Sequence, residues 1–300
     1  MSLYQEEISI MFRIESGSKI GISGCSNGTQ KANKENIDRL CDVIRNRIGV
    51  EPVCSDYIYE TESYFSGTAI ERAEALMNLY RDKDIKAIFD ISGGDVANEV
   101  LEYLDFDVIR NNPKIFYGYS DLTTVINAIY CKTGNVSGLY QIRNLIYEDS
   151  ESQINNFKNS IINGEDDLFD IDYQFIQEGY MEGIVIGGNI RCLLKLAGTE
   201  YMPDFAGKIL LLEGLNSSSQ QVATYLCQLK HMGVFNKIEG ILLGTFTKLD
   251  REVFVPSVEE LVQRYAGKNI PIARTMDIGH GSNSKCIMIG KYIKLQEMYH

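Results

Sequence analysis

Short apolar runs alternate with longer amphipathic segments along the first half of the chain. The runs at 19–23, 85–91 and 114–117 each end in a polar or glycine-containing turn, which is typical of buried strands. The segments at 36–48 and 68–81 carry apolar residues at helical spacing. Strand–helix alternation of this kind predicts a parallel sheet that is covered by helices on both faces.

A polar, acidic stretch from 147 to 180 follows and has no strong periodicity. We predict that two domains are connected there, an N-terminal domain over residues 1–165 and a C-terminal domain over residues 166–300. The other predicted elements are helices at 96–103, 123–131 and 218–232 and strands at 183–186, 208–212, 238–246 and 286–289.

The charge and hydropathy of the chain limit the kinds of molecule that it is expected to bind. The 300-residue chain is 44% hydrophobic and carries a net charge of −12 without an obvious Lys/Arg cluster. Duplex nucleic acid and anionic membrane surfaces attract basic faces, so neither is an expected partner. No run approaches the roughly 20 apolar residues that span a bilayer. The N-terminus has acidic residues where a signal peptide places Lys or Arg, which predicts a cytoplasmic protein.

Seven cysteines and three histidines limit what metals or disulfides could contribute. The cysteine count is odd and no CxxC pair occurs, which argues against a disulfide framework and against a zinc site. Most cysteines have apolar neighbours in sequence, and we interpret them as reduced structural thiols. The fingerprints GxGxxG and GxxxxGK(S/T) are both absent, which argues against a nucleotide site of the usual kind.

Ser120 is the first candidate for catalysis, because it lies between an apolar strand and a helix. A serine on such a sharp turn exposes its hydroxyl, and the helix N-terminus behind it offers N–H groups that can stabilise an oxyanion. The motif is Gly-Tyr-Ser-Asp, and Leu122 stands where the full G-x-S-x-G motif has its second glycine. The alternative is that Ser120 or Asp121 only caps the following helix.

Gly93 and Gly94 form a turn directly after the apolar run at 85–91 and Ser92. The N–H of Gly94 could donate a hydrogen bond to an oxyanion. The alternatives are a tight turn or a phosphate-binding turn.

His280 lies in the small polar loop DIGHGSN, where it is either a catalytic base or a solvated turn residue. Glu213 follows the apolar run at 208–212, so it either orients a histidine or makes a structural ion pair.

Taken together, these segments resemble the LD-carboxypeptidase family of serine peptidases, which includes muramoyltetrapeptide carboxypeptidases and microcin C self-immunity proteins. The resemblance rests on GYSD, GGN…GT…PDF.GKIL..E and GHG, in that order, and runs from Lys19 to Ile289. It implies an α/β fold with an N-terminal parallel-sheet domain, which carries the nucleophile. A second, smaller β-rich, barrel-like domain would carry Glu and His. The family also implies a homodimer and a site between the domains.

The resemblance implies a catalytic triad of Ser120, Glu213 and His280, with main-chain N–H groups of Gly94 and Asp121 as the oxyanion hole. His280 would take the Ser120 proton as the hydroxyl attacks an amide carbonyl, while Glu213 orients the imidazole. Water then releases the acyl-enzyme. This chemistry needs neither a metal nor an organic cofactor.

The substrate stays open between a muropeptide and a peptidyl or aminoacyl nucleotide, the second as in the immunity branch. If the leaving group is a D-amino acid, a cation should bind its carboxylate, and Arg143 and Arg191 are candidates. Ser92 stands where the family commonly has Arg and Asp95 where it has an aromatic residue, and the chain lacks Trp. Two other classes remain, a nucleotide-binding transferase and a non-catalytic two-domain binding protein.

Overall fold

Two sheets of six strands each organise the part of the chain that the computed structural model describes, residues 13–251 and 255–297. The strands are β1 (Lys19–Ser23), β2 (Glu51–Cys54), β3 (Ile85–Asp90), β4 (Ile115–Gly118), β5 (Ser137–Leu139), β6 (Gln174–Gln177), β7 (Tyr180–Asn189), β8 (Lys208–Gly214), β9 (Gly240–Phe246), β10 (Ile272–Arg274), β11 (Ile287–Ile289) and β12 (Tyr292–Gln296).

Local capping signals fix where several helices begin. Thr68, Ser218 and Ser257 each form a capping box with the residue three positions later, which satisfies two free N–H groups at the helix start. The α-helices are α1 (Lys34–Val43), α2 (Ala69–Arg81), α3 (Phe106–Asn111), α4 (Thr123–Thr133), α5 (Ser150–Lys158), α6 (Ile190–Leu193), α7 (Ser219–His231), α8 (Thr247–Arg251) and α9 (Val258–Ala266). Short 3-10 segments lie at Lys31–Asn33, Ala97–Tyr103, Ser120–Leu122, Ile142–Ile146, Leu194–Leu196 and Val234–Asn236, and π-helical turns at Ile44–Ile48 and Asn159–Asn163.

The first sheet has the strand order β11-β5-β4-β3-β1-β2. All neighbours in it are parallel except β11, which pairs antiparallel with β5. Strands β3 and β4 are hydrogen-bonded neighbours, so the turns that follow them meet at the same edge of the sheet. One turn contains Gly93-Gly94 and the other contains Ser120.

The second sheet has the order β12-β7-β8-β9-β10-β6 and forms a half-barrel. Its four central strands are parallel, and antiparallel β12 and β6 close the two edges. Strands β8 and β9 are buried almost throughout, which explains their continuous apolar runs. Glu213 is the charged exception near the end of β8, and it is fully buried.

The predicted fold class is confirmed, since a mostly parallel α/β sheet is followed by a second, β-rich one. The predicted strand at 19–23 and the predicted helix at 68–81 agree with β1 and α2 closely. The acidic stretch from 147 to 180 holds a helix, α5, that its weak periodicity did not reveal. The boundary at 165/166 stays a prediction, and the C-terminal part returns β11 to the first sheet.

Some sequence predictions lie outside the described residues. The first 12 residues, which carry most of the argument against a signal peptide, are among them, and so is His300. Within the described ranges, none of the helices combines the length and the apolar character that crossing a bilayer requires.

Candidate active site

Glu213 and His280 are brought into direct contact by the second sheet and the loop that precedes β11. Nδ1 of His280 lies 2.6 Å from Oε2 of Glu213, and both side chains are buried, at 8% and 0% exposure. The two residues are 67 positions apart in sequence. A carboxylate on one ring nitrogen fixes the orientation of an imidazole and its tautomer. The predicted pairing of these two residues is therefore seen in the structure.

The other ring nitrogen of His280 has no such contact. Nε2 is buried and has no hydrogen-bond partner among the described residues, and the same holds for Oε1 of Glu213. A buried polar atom without a partner is costly and calls for an explanation. An imidazole nitrogen in this state can accept a proton from a nearby hydroxyl or from a ligand.

Ser120 occupies the turn between β4 and α4 in a strained conformation. Its φ angle is +54°, in the left-handed region that side-chain-bearing residues seldom adopt. The preceding residue, Tyr119, packs its ring against His280 with centroids 4.5 Å apart. No hydrogen bond joins Ser120 to His280 Nε2 in this structure. The turn and the Glu213–His280 pair are thus adjacent, without the closed contact that substrate binding often completes.

Tyr119 stays a neutral neighbour of the histidine. Burial raises the pKa of the Tyr119 phenol well above its ordinary value, and the charge of Glu213 raises it further. Its Oη has no hydrogen-bond partner within the described part of the chain. Tyr119 therefore presents an uncharged ring to His280 and does not compete with Glu213 for it.

Asp121 directly follows Ser120 and is completely buried. Its Oδ2 accepts hydrogen bonds from Ser26 Oγ at 2.6 Å and from the Ala97 N–H at 2.8 Å. Its Oδ1 lies 2.5 Å from Nζ of Lys195, which belongs to the second half of the chain. The Asp121 side chain therefore anchors the Ser120 turn on three sides, beyond the role of its N–H that the sequence suggested.

The Gly93-Gly94 turn is held by Asn27, which follows β1. The N–H of Asn27 donates to Gly93 O at 3.2 Å, and the N–H of Asp95 donates to Asn27 Oδ1 at 3.0 Å. Gly94 has a φ angle of +131°, and a Cβ there would collide with the Asn27 side chain. Only glycine fits this position without displacing Asn27.

Ser92, where the family commonly has Arg, has a clear structural role. Its hydroxyl donates to Asp90 Oδ1 at 2.5 Å and accepts from the Ser26 N–H at 2.8 Å. Oδ2 of the same buried aspartate accepts from the Cys25 N–H at 2.7 Å. This network ties the loop after β1 to the Gly93-Gly94 turn.

Arg191 and Arg143, the candidates for binding a carboxylate, lie in different environments. Arg191 forms an ion pair with Asp95 and donates from Nη2 to Gly94 O at 3.1 Å. Hydrogen bonding to Arg191 lowers the pKa of Asp95, so the pair stays charged. Arg143 lies over the ring of Tyr147, 6.0 Å from its centroid. Its Nε is buried and has no hydrogen-bond partner among the described residues.

Asn127 joins helix α4 to the second sheet in a way that the sequence did not reveal. Its Oδ1 accepts from the Gly187 N–H at 2.9 Å, and its Nδ2 donates to Gly187 O at 2.8 Å. Thr123 Oγ1 accepts from the Asn189 N–H at 3.0 Å. Helix α4, which begins three residues after Ser120, is thereby fixed to β7. Asn127 looks like an ordinary helix residue in sequence, since nothing there shows its partner.

A metal centre is not suggested by the described residues. No group of three or more His, Cys, Asp or Glu side chains within them could hold a metal ion.

A mostly parallel α/β sheet and a half-barrel that carries a buried Glu–His pair define a two-domain α/β protein. Models of the LD-carboxypeptidase N-terminal and C-terminal domains match residues 20–141 and 182–295. The chain belongs to the LD-carboxypeptidase family, a serine peptidase family.

The relatives include carboxypeptidases and a self-immunity protein. The chain is 30% identical to a probable murein peptide carboxypeptidase of Bacillus subtilis, over 81% of this chain and 79% of the relative. It is 31% identical to the microcin C7 self-immunity protein MccF of Escherichia coli, over 78% of each. A solved structure of MccF in complex with aspartyl sulfamoyl adenosine superimposes with a TM-score of 0.81 at 26% identity. That match covers 96% of this chain and 98% of the other.

Proposed function

We propose that this protein is a serine hydrolase with a catalytic triad of Ser120, His280 and Glu213. The observation that carries the proposal is the 2.6 Å contact between Glu213 and His280. It holds the ring beside the Ser120 turn with an Nε2 that has no hydrogen-bond partner among the residues the structure describes. With Nδ1–H donated to Glu213, Nε2 can accept the Ser120 proton as the hydroxyl attacks an amide carbonyl. The resulting acyl-enzyme is then hydrolysed by water.

Main-chain N–H groups of Gly94 and Asp121 serve as oxyanion donors in this proposal. Both residues lie in turns after neighbouring parallel strands, so both turns face the same edge of the first sheet. Asn27 holds the first turn, and Ser26 and Lys195 hold the second. Fixed donors of this kind stabilise the developing negative charge because they need no reorganisation during the reaction.

The proposed substrate is a muropeptide that loses its terminal D-amino acid by LD-carboxypeptidase chemistry. Membership of the family and the likeness to a probable murein peptide carboxypeptidase support it. Arg143 is the stronger candidate for the substrate carboxylate, since its Nε lacks a partner within the described ranges. Arg191 is a weaker candidate because Asp95 and Gly94 O already engage its guanidinium.

The second candidate function is hydrolysis of an aminoacyl or peptidyl nucleotide. The likeness to MccF, which has been solved with aspartyl sulfamoyl adenosine, favours it. Both functions use the same acyl-enzyme chemistry, so the choice between them concerns the acyl group and the leaving group of the substrate. The family resemblance also supports a role in peptidoglycan recycling and a homodimer, and the sequence supports a cytoplasmic location. Light scattering during gel filtration tests the dimer.

Mass spectrometry after incubation with two substrates separately distinguishes the candidates. The first substrate is a muropeptide tetrapeptide, and the second is aspartyl sulfamoyl adenosine. Loss of one D-amino acid from the tetrapeptide supports the main proposal, whereas release of free aspartate from the adenosine compound supports the alternative. Ser120→Ala is the matched control and should abolish either product. Cleavage of neither substrate, or equal cleavage by Ser120→Ala and the wild type, would contradict the proposed chemistry.

A further inference from the structure

Lys195 contacts both turns that flank the candidate nucleophile. It lies in the 3-10 segment after α6, in the C-terminal half of the chain. Its Nζ lies 2.5 Å from Asp121 Oδ1, in the Ser120 turn, and donates to Asp95 O at 2.8 Å, next to the Gly93-Gly94 turn. One ammonium group therefore joins the two turns, in addition to the hydrogen bond that the Ala97 N–H donates to Asp121 Oδ2 at 2.8 Å.

The environment of this ammonium group makes the contact hard to replace. The Lys195 side chain is 18% exposed and the Asp121 carboxylate is fully buried. Removing one member of a buried ion pair destabilises the fold strongly, because the other charge stays buried without a partner. The remaining donors to Asp121, from Ser26 and Ala97, are neutral groups.

The two turns are the ones to which the proposed function assigns the oxyanion donors. Oxyanion stabilisation depends on donors that stand in place before charge develops, and errors of about 1 Å in positioning can cost on the order of 100-fold in rate. Asn27 already restrains the Gly93-Gly94 turn, and Ser26 restrains the Asp121 side chain. Both of these restraints come from the loop after β1. Lys195 reaches both turns from the C-terminal half, from which Arg191 also donates to Gly94 O.

We propose that Lys195 is a positioning residue that sets the spacing between the Gly94 and Asp121 N–H groups by bridging their turns from the C-terminal domain. The inference rests on the proposed function for its catalytic consequence, but not for the bridge itself. It predicts that docking of the C-terminal domain completes the oxyanion hole, in addition to delivering Glu213 and His280.

A more exposed ion pair between the same two halves of the chain supplies a control. Lys132, on α4, lies 2.5 Å from Oε2 of Glu200, which follows the Leu194–Leu196 segment. This pair also joins the two halves of the chain, and Lys132 lies in the last turn of α4, at the opposite end of the helix from the Ser120 turn. Lys132→Met should therefore remove one contact between the two halves without changing the spacing of the turns.

The test compares Lys195→Met, Lys195→Arg and Lys132→Met by steady-state kinetics on whichever substrate the wild type cleaves. Lys195→Met should lower kcat by about 10- to 100-fold with KM changed less than about threefold. Lys195→Arg keeps charge and donors and should recover most of the lost kcat. Lys132→Met should retain wild-type kcat. Equal losses in Lys195→Met and Lys132→Met, or no gain in Lys195→Arg over Lys195→Met, would overturn the inference.

Hydrogen exchange separates this inference from the proposed function. In Lys195→Met, amide exchange in segments 94–97 and 121–123 should be faster than in the wild type, while Lys132→Met leaves both segments unchanged. This result is expected even if the wild type cleaves neither substrate, in which case only the proposed function fails. Unchanged exchange in a folded Lys195→Met variant would refute the bridge. Should that variant not fold, Lys195→Gln, which keeps a donor without the charge, takes its place in both measurements.

Discussion

Nδ1 of His280 lies 2.6 Å from Oε2 of Glu213, at the end of a strand whose other side chains are almost all apolar. A carboxylate costs free energy to bury, and the imidazole contact offsets part of that cost. Nε2 of His280 has no hydrogen-bond partner in the described part of the chain, which leaves it available as the base of the proposed triad. One interaction thus explains both why Glu213 is tolerated in β8 and how His280 can be catalytic.

Substitutions within the proposed triad should not be additive. Ser120→Ala and His280→Ala should each lower kcat by several orders of magnitude, and the double variant should be little worse than either one. Glu213→Gln should cost less than Ser120→Ala, because nucleophile and base remain in place. Steady-state kinetics with circular dichroism on each variant checks this. An unfolded Glu213→Gln variant together with a fully active His280→Ala variant would make Glu213 a structural carboxylate.

A serine-directed fluorophosphonate should label Ser120 and no other residue. The reagent reacts with a serine whose hydroxyl is activated by a base, which His280 would provide. Peptide mapping by mass spectrometry after labelling identifies the site. Label that persists in Ser120→Ala, or that appears on another serine, would reject the assignment.

Strain at Ser120 should be measurable as stability. Its φ of +54° costs a residue with a Cβ roughly 1 kcal/mol, whereas glycine adopts this angle without that cost. Ser120→Gly should therefore unfold at a higher denaturant concentration than Ser120→Ala, although both should be inactive. Urea unfolding of the two variants gives the comparison. If Ser120→Ala proves the more stable variant, the strained turn is not a feature of the free enzyme.

The two glycines of the Gly93-Gly94 turn should respond differently to alanine. A Cβ at Gly94 would collide with Asn27 and would require an unfavourable backbone angle, while a Cβ at Gly93 meets nothing within 4 Å. Gly94→Ala should reduce kcat by at least about 10-fold through displacement of the turn, and Gly93→Ala should retain most of it. Kinetics on both variants, side by side, makes the comparison. Similar losses at both positions would point to a general intolerance of the loop.

Arg143 should matter for a substrate only if that substrate ends in a free carboxylate. Loss of a charge-assisted contact in Arg143→Met, worth about 1.5–3 kcal/mol, should raise KM for the tetrapeptide by about 10- to 100-fold. A tetrapeptide amidated at its C-terminus should be cleaved weakly by wild type and variant alike. An unchanged KM in Arg143→Met, with a raised KM in Arg191→Met, would transfer the role to Arg191.

Local patterns in the sequence were sufficient for some of the strands and helices and for the turns that hold the candidate groups. The strand at β1, the helix at α2 and the turns after β3 and β4 follow from periodicity and glycine placement, which depend on near neighbours alone. Helix α5 was not predicted, because only three of its residues are buried, Gln153, Ile154 and Phe157. Three buried residues are too few to show a helical period in so polar a stretch. The family motifs then linked Ser120, Glu213 and His280 before any geometry was available.

Only the tertiary structure decided which of these groups meet, because pairing across the fold depends on sheet order and on burial. Asp121 and Lys195 are 74 residues apart, and no local pattern in the sequence links them. They pair because β7 and α6 bring Lys195 against the turn after β4, where a buried carboxylate requires a cation. Asn127 likewise finds Gly187 across 60 residues. Such contacts have no local signature, since the free energy that favours them arises only when both partners leave water together.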